Sequence, residues 1–140
     1  VGRNSTLIMG LTPNPDGLMP EPDVKRLKEW GDEIKRRFEK PIASTSGKGN
    51  KITLKLNHST AINHIIIQED IQYGECVRTY EVEGLVKGKW KVLATGQSIG
   101  QKRIMQIEDV ELSRIRLNVL NADREPQIKT LEVYFVSNIN

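Results

Sequence analysis

Cysteine is nearly missing from this chain: Cys76 is the single one among 140 residues. No disulfide can therefore form within the chain, and the apolar setting of Cys76 reads as a small core residue, not a nucleophile. Aromatic side chains are scarce as well, with two Phe, two Trp and three Tyr, which leaves few flat rings for stacking against bases or sugars. No apolar run approaches the ~20 residues that a membrane-spanning helix needs, and no signal peptide is recognisable. Histidine occurs twice, at His58 and His64, with no Cys nearby and no HxxxH or HExxH spacing, so nothing in the pattern offers a zinc site. The length itself excludes a complete eight-stranded α/β barrel, which takes about 250 residues. A first residue of Val1 without an initiator Met suggests a piece of a longer polypeptide.

What remains is an ordinary domain composition, 37% hydrophobic and 28% charged, with room for one full domain and a small appendage. The net charge of +3 is concentrated. Residues 25–40 hold Lys25, Arg26, Lys28, Lys35, Arg36, Arg37 and Lys40 against Glu29, Asp32, Glu33 and Glu39, and the other segments balance. A nucleic-acid-binding surface would spread its basic residues over a broad face and interleave aromatics. This stretch instead has the pattern of one solvated helix face.

The hydropathy pattern divides the chain near residues 39–43. Residues 6–12, TLIMGLT, form a short continuous apolar run that predicts a strand buried on both faces, as in a parallel sheet. PNPDGLMPEP follows, with four prolines and a glycine, and predicts a loop. From Asp23, Val24, Leu27, Gly31, Ile34 and Phe38 recur at helical spacing. Pro22 and Asp23 mark the start of that helix and Pro41 its end.

Beyond Pro41 the periodicity is two. ASTSGKGN (43–50) reads as a loop, and strands are predicted at 51–56, 64–70, 77–86, 89–95, 102–110, 113–120 and 128–136. Lys87-Gly88 turns the third of these into the fourth. Seven strands in about 100 residues indicate an antiparallel β-sandwich. A single strand and helix cannot form a domain without a second layer, so residues 1–40 read as the end of a larger α/β structure.

Two stretches resemble a known family. STLIMGLTPNPDGLMPEPDVKRLKEWGDEIKRRF (5–38) resembles the closing strand and helix of the catalytic barrel in retaining α-L-fucosidases. Residues 73–136, through GECVRTYEVEG, KWKVLATGQSIGQKRI and SRIRLNVLNADREPQI, resemble the discoidin-like, coagulation-factor type C sandwich that follows that barrel. The resemblance implies a mainly β chain: a sandwich of the discoidin or galactose-binding-like jelly-roll type over 41–140, preceded over 1–40 by the last β-strand and α-helix of a (β/α)8-type barrel. It implies the carboxyl-terminal part of an exo-acting enzyme that hydrolyses terminal α-L-fucosyl linkages in glycoconjugates, periplasmic or secreted in a bacterium. Its partners would be the upstream barrel and, through the full enzyme, a fucosylated glycan, with no nucleic acid, membrane or cofactor. An independent carbohydrate-binding module or a protein-interaction sandwich are the alternatives. Where the family has an Asn after its apolar triplet this chain has Gly10, and its Gly before the proline is Thr12, so no sugar contact transfers to position 10.

The resemblance implies no catalytic residue here, because the family's nucleophile and acid/base lie on earlier strands. Among the carboxylate clusters present, Glu69-Asp70, Glu81 with Glu83, and Glu108-Asp109 with Glu111, no acid/base pair stands out; Glu81 and Glu83 share a strand face opposite the apolar Val82 and read as solvated. Asn14 and Asp16 would lie on the rim of the completed barrel as substrate-facing residues, or else serve the turn that Pro13, Pro15 and Gly17 shape. If the sandwich binds sugar, Tyr73, Arg78 and Arg103 are the candidates; Trp90, Tyr80 and Tyr134 fall within strands and are expected in the core. A structural calcium ion could draw oxygens from Asn121-Ala122-Asp123 or the 43–50 loop, but that spacing is not diagnostic.

Overall fold

In the computed structural model, which describes residues 2–137, the chain divides into two compact units, Thr6–Lys40 and Val1–Ser5 with Pro41–Asn140. The first unit contains an irregular segment followed by helix α1 (Glu21–Phe38). The helix begins two residues before the expected Asp23, with Pro20 as its N-cap and Pro22 in its first turn, where a missing N–H removes no helical hydrogen bond. Its basic excess is tied into ion pairs one turn apart: Arg26–Glu29, Lys28–Asp32, and Glu33 with both Arg36 and Arg37. The strand predicted over 6–12 does not form. Leu7, Ile8, Met9 and Leu11 are exposed, Ile8 at 87%. A strand of that kind needs partners on both edges to take up its backbone groups, and the strands of this chain pair only among themselves.

The second unit is an antiparallel β structure of β1 (Ala43–Lys48), β2 (Lys51–Glu69), β3 (Val77–Val86), β4 (Lys89–Gly96), β5 (Arg103–Ala122) and β6 (Gln127–Tyr134). They are hydrogen-bonded in the order β1-β6-β2-β5-β3-β4. Two of the predicted strand pairs are in fact continuous: 51–56 with 64–70 form β2, and 102–110 with 113–120 form β5. β2 and β5 pair from Lys51 with Asn118 to Ile67 with Arg103, with register breaks between Lys55 and Thr60 and between Ile62 and His64. β3 joins the Ile115–Ala122 half of β5, while β6 joins the His64–Glu69 half of β2. The ribbon thus bends through its irregularities and carries one layer on each half, the arrangement of a sandwich.

The inward faces meet in one core that includes Leu54, Ile65, Ile67, Val82, Leu117 and Leu131. Full burial of each such side chain contributes about 1.5–3 kcal/mol. The segment 43–48, expected as a loop, becomes β1 because it pairs with β6. The β3–β4 hairpin turns at Lys87-Gly88 as expected, both residues taking positive φ, 49° and 79°, the conformation that suits a two-residue turn between twisted strands.

Candidate functional site

One end of the sandwich gathers the termini of β2, β3, β5 and β6, and Glu69 holds it together. Alternation along β2 points this carboxylate into the core, where it is 2% exposed. One oxygen accepts the amides of Cys76 (2.9 Å) and Val77 (3.1 Å), and the other accepts that of Gly100 (2.7 Å). Three backbone donors make burial of the acid tolerable.

The next residue, Asp70, caps a 3-10 turn, Ile71–Tyr73, by accepting the Gln72 amide at 3.3 Å. Gly74 closes the turn at φ 76°, and a Cβ there would stand 2.5 Å from the Arg124 guanidinium. The result is a short, fixed loop that presents Tyr73 with 61% of its surface exposed. Asn4 braces the same end. Its side chain donates to Glu75 (3.0 Å) and accepts the Gln101 amide (2.7 Å).

Tyr73 and Arg78 therefore flank one loop, but their states differ. Arg78 donates from Nε (2.8 Å) and Nη2 to Asp123 Oδ2. That hydrogen-bonded pairing holds the Asp123 carboxyl below the usual carboxylate range and raises Arg78 further. The same contact occupies the acid proposed as a calcium ligand, and no group of three or more His, Cys, Asp or Glu suited to a metal occurs among the described residues. Arg103 pairs in register with Ile67 and bridges to Arg3. Its side chain is half-buried, with Nε buried and without a hydrogen-bond partner in the described structure. Burial pushes the Tyr80 phenol up, and the neighbouring Arg103 opposes that shift.

Beside Tyr73 lies a cleft of about 250 Å³ lined also by Ser46, Lys48, Asp70, Gln127 and Lys129. A second, open hollow of about 500 Å³ is lined by Asn50, Leu120, Asn121, Arg124 and Glu125 and contains no aromatic ring. In the first unit, Asn14 is engaged by its own turn: its Oδ1 accepts the amides of Asp16 (3.0 Å) and Leu18 (2.9 Å). Asp16 is exposed.

Sequence reasoning missed a polar network on the outer face of β3, β4 and β5. Arg116 bonds Glu83 through Nε (2.8 Å) and Nη2 (2.6 Å) and lies over the Trp90 ring, 4.0 Å from its centroid. Asn118 donates to Glu83 and to Glu81 (3.3 Å). Glu81 and Glu83 are thus half-buried partners in a network instead of solvated groups. Trp90, expected in the core, is 36% exposed because it occupies the outward phase of an edge strand. The signal was available in the alternation of both strands, which puts Glu81, Glu83, Arg116 and Asn118 on one face once their register is known.

No family model matches the chain. A rice protein assigned as α-L-fucosidase 1 is 27% identical over 169 residues, covering 96% of this chain and 33% of the relative. The crystal structure of a Bacteroides thetaiotaomicron protein assigned as an α-L-fucosidase aligns with a TM-score of 0.93 and 48% identity, over 97% of this chain and 32% of that one. A family 32 carbohydrate-binding module from Streptococcus pneumoniae EndoD aligns with a TM-score of 0.54 and 14% identity, over 66% of this chain and 74% of the module. That likeness is one of fold alone. The chain spans about a third of the length of the curated relatives it matches.

Proposed function

From its homology to the carboxyl-terminal region of α-L-fucosidases, we propose that this chain is the non-catalytic terminal portion of such an enzyme. The enzyme would be exo-acting and retaining, removing terminal α-L-fucosyl residues from glycoconjugates. The observation that carries this reading is 48% identity over 97% of the chain to a protein of which only 32% is covered. Two thirds of that relative lies outside the match, room enough for a catalytic domain.

The chemistry of the carboxylates agrees. Retaining hydrolysis needs an ionised nucleophile and a protonated acid about 5–5.5 Å apart. Glu69 spends its oxygens on three backbone amides, and Glu81 and Glu83 are taken up by Arg116 and Asn118. None of them is poised for acid–base work.

In this reading residues 1–40 complete the barrel and 41–140 form a discoidin-like accessory sandwich. The exposed Leu7, Ile8, Met9 and Leu11 are then the side chains of a strand awaiting its neighbours, and Asp16 is the rim residue that faces substrate. Asn14 supports the turn that presents it. A bacterial, secreted or periplasmic enzyme fits; no helix among the described residues is long and apolar enough to cross a membrane. The test is hydrolysis of 4-nitrophenyl α-L-fucopyranoside by the 140-residue chain and by the same chain joined to the upstream two thirds of a related fucosidase. Turnover is expected only for the joined polypeptide, and turnover by the chain alone would overturn the reading.

A further inference from the structure

We propose that the cleft beside Tyr73 is a subsite for one pyranose ring of a glycan, a role that rests on the fucosidase reading and adds to it a glycan contact in the sandwich itself. The cleft is built on fixed backbone. Lys48 on β1 pairs in register with Gln127 on β6, and the Asp70 amide donates to the Gln127 carbonyl at 2.8 Å. Three adjacent elements thus set Lys48, Gln127 and Asp70 side by side, and the capped turn after Asp70 brings Tyr73 to the same cleft.

A pyranose has an apolar C–H face and a rim of hydroxyls, and it is recognised by a flat ring with a few convergent polar groups. Tyr73 supplies the ring. One Asp70 oxygen holds the Gln72 amide, and the other makes no hydrogen bond or ion pair among the described residues, so it can accept from a hydroxyl. Lys48 and Lys129 form no ion pair among the described residues and can donate to the sugar's oxygens, as can the Gln127 amide. The 250 Å³ volume suits one ring and not a long chain. The larger hollow lacks an aromatic, and the Trp90 face is already covered by Arg116. Of the sequence's other sugar candidates, Arg78 is committed to Asp123 and Arg103 does not line the cleft.

The test is isothermal titration of the full 140-residue chain with L-fucose, D-galactose and 2′-fucosyllactose, with saturation-transfer NMR as a second readout. Saturable binding of at least one sugar is expected, with a Kd of about a millimolar. Tyr73→Ala and Asp70→Asn should each weaken it about tenfold or more, with the melting temperature unchanged, because Asn keeps the acceptor that caps the turn. Tyr73→Phe should retain binding. Absence of saturable binding for all three sugars, or binding that Tyr73→Ala leaves intact, would overturn the proposal. Fucosidase turnover of the joined polypeptide is read separately, so a failure of the subsite is distinguished from a failure of the fucosidase reading on which it rests.

Discussion

Glu69 is the side chain on which the loop end depends. Replacing it with Gln keeps the size but removes the charge and substitutes an N–H donor for one acceptor that backbone amides need. Glu69→Gln should cost about 2–4 kcal/mol, measured by urea unfolding with an unchanged m-value. Cys76 is its neighbour in this knot. Burial pushes its thiol up, away from the reactive thiolate, so 5,5′-dithiobis(2-nitrobenzoate) should leave the native chain unmodified and react once it is unfolded. The buried state of Cys76 was legible in the sequence because it leads directly into the alternating strand that starts at Val77. The roles of Glu69 and Asp70 were not, since adjacent acids look alike until strand phase separates them: Glu69 shares the core face of Ile65 and Ile67, and Asp70 stands past the strand's end. Tyr73 was legible as an exposed ring from its polar, glycine-containing loop, whereas the commitments of Arg78 and Arg103 depend on residues 45 and 36 positions away, Asp123 and Ile67.

At the scale of elements, α1 has a measurable electrostatic signature. The guanidinium groups of Arg36 and then Arg37, hydrogen-bonded to Glu33, lower its carboxyl to about 2. A carboxylate lowered in the folded state contributes stability that is complete above the usual carboxylate range, declines as pH falls below that range and is gone once pH has fallen through the folded value. The side-chain carboxyl of Glu33, followed by carbon NMR, should therefore titrate near pH 2; a midpoint at the usual carboxylate value would mean that these ion pairs do not form in solution. The helix and the β3–β4 hairpin were readable locally, from helical spacing and from Lys87-Gly88. β1 was not, because serine and glycine become strand there only through pairing with β6. The run 6–12 failed in the opposite sense: its apolar side chains specify a strand, but the partners that would make it one are not among the strands of this chain.

For the molecule as a whole, the sandwich class followed from alternation and turn spacing, while the number and length of its strands did not, because a bulged strand and two short strands look the same in sequence. Leu117 is fully buried in the core, on β5 between Ile52 of β2 and Val82 of β3, so Leu117→Ala should destabilise the chain by about 2–5 kcal/mol, read from thermal or denaturant melts. The pairing of β2 with β5 on both sides of its irregularities has a further consequence for how the protein comes apart. Each layer borrows its central strands from the same two segments, so neither can open while the other stays closed. Amide protons of Leu54 and Val82 on one side and of Ile65 and Leu131 on the other should exchange with deuterium at one common free energy, as the two halves of a single cooperative event.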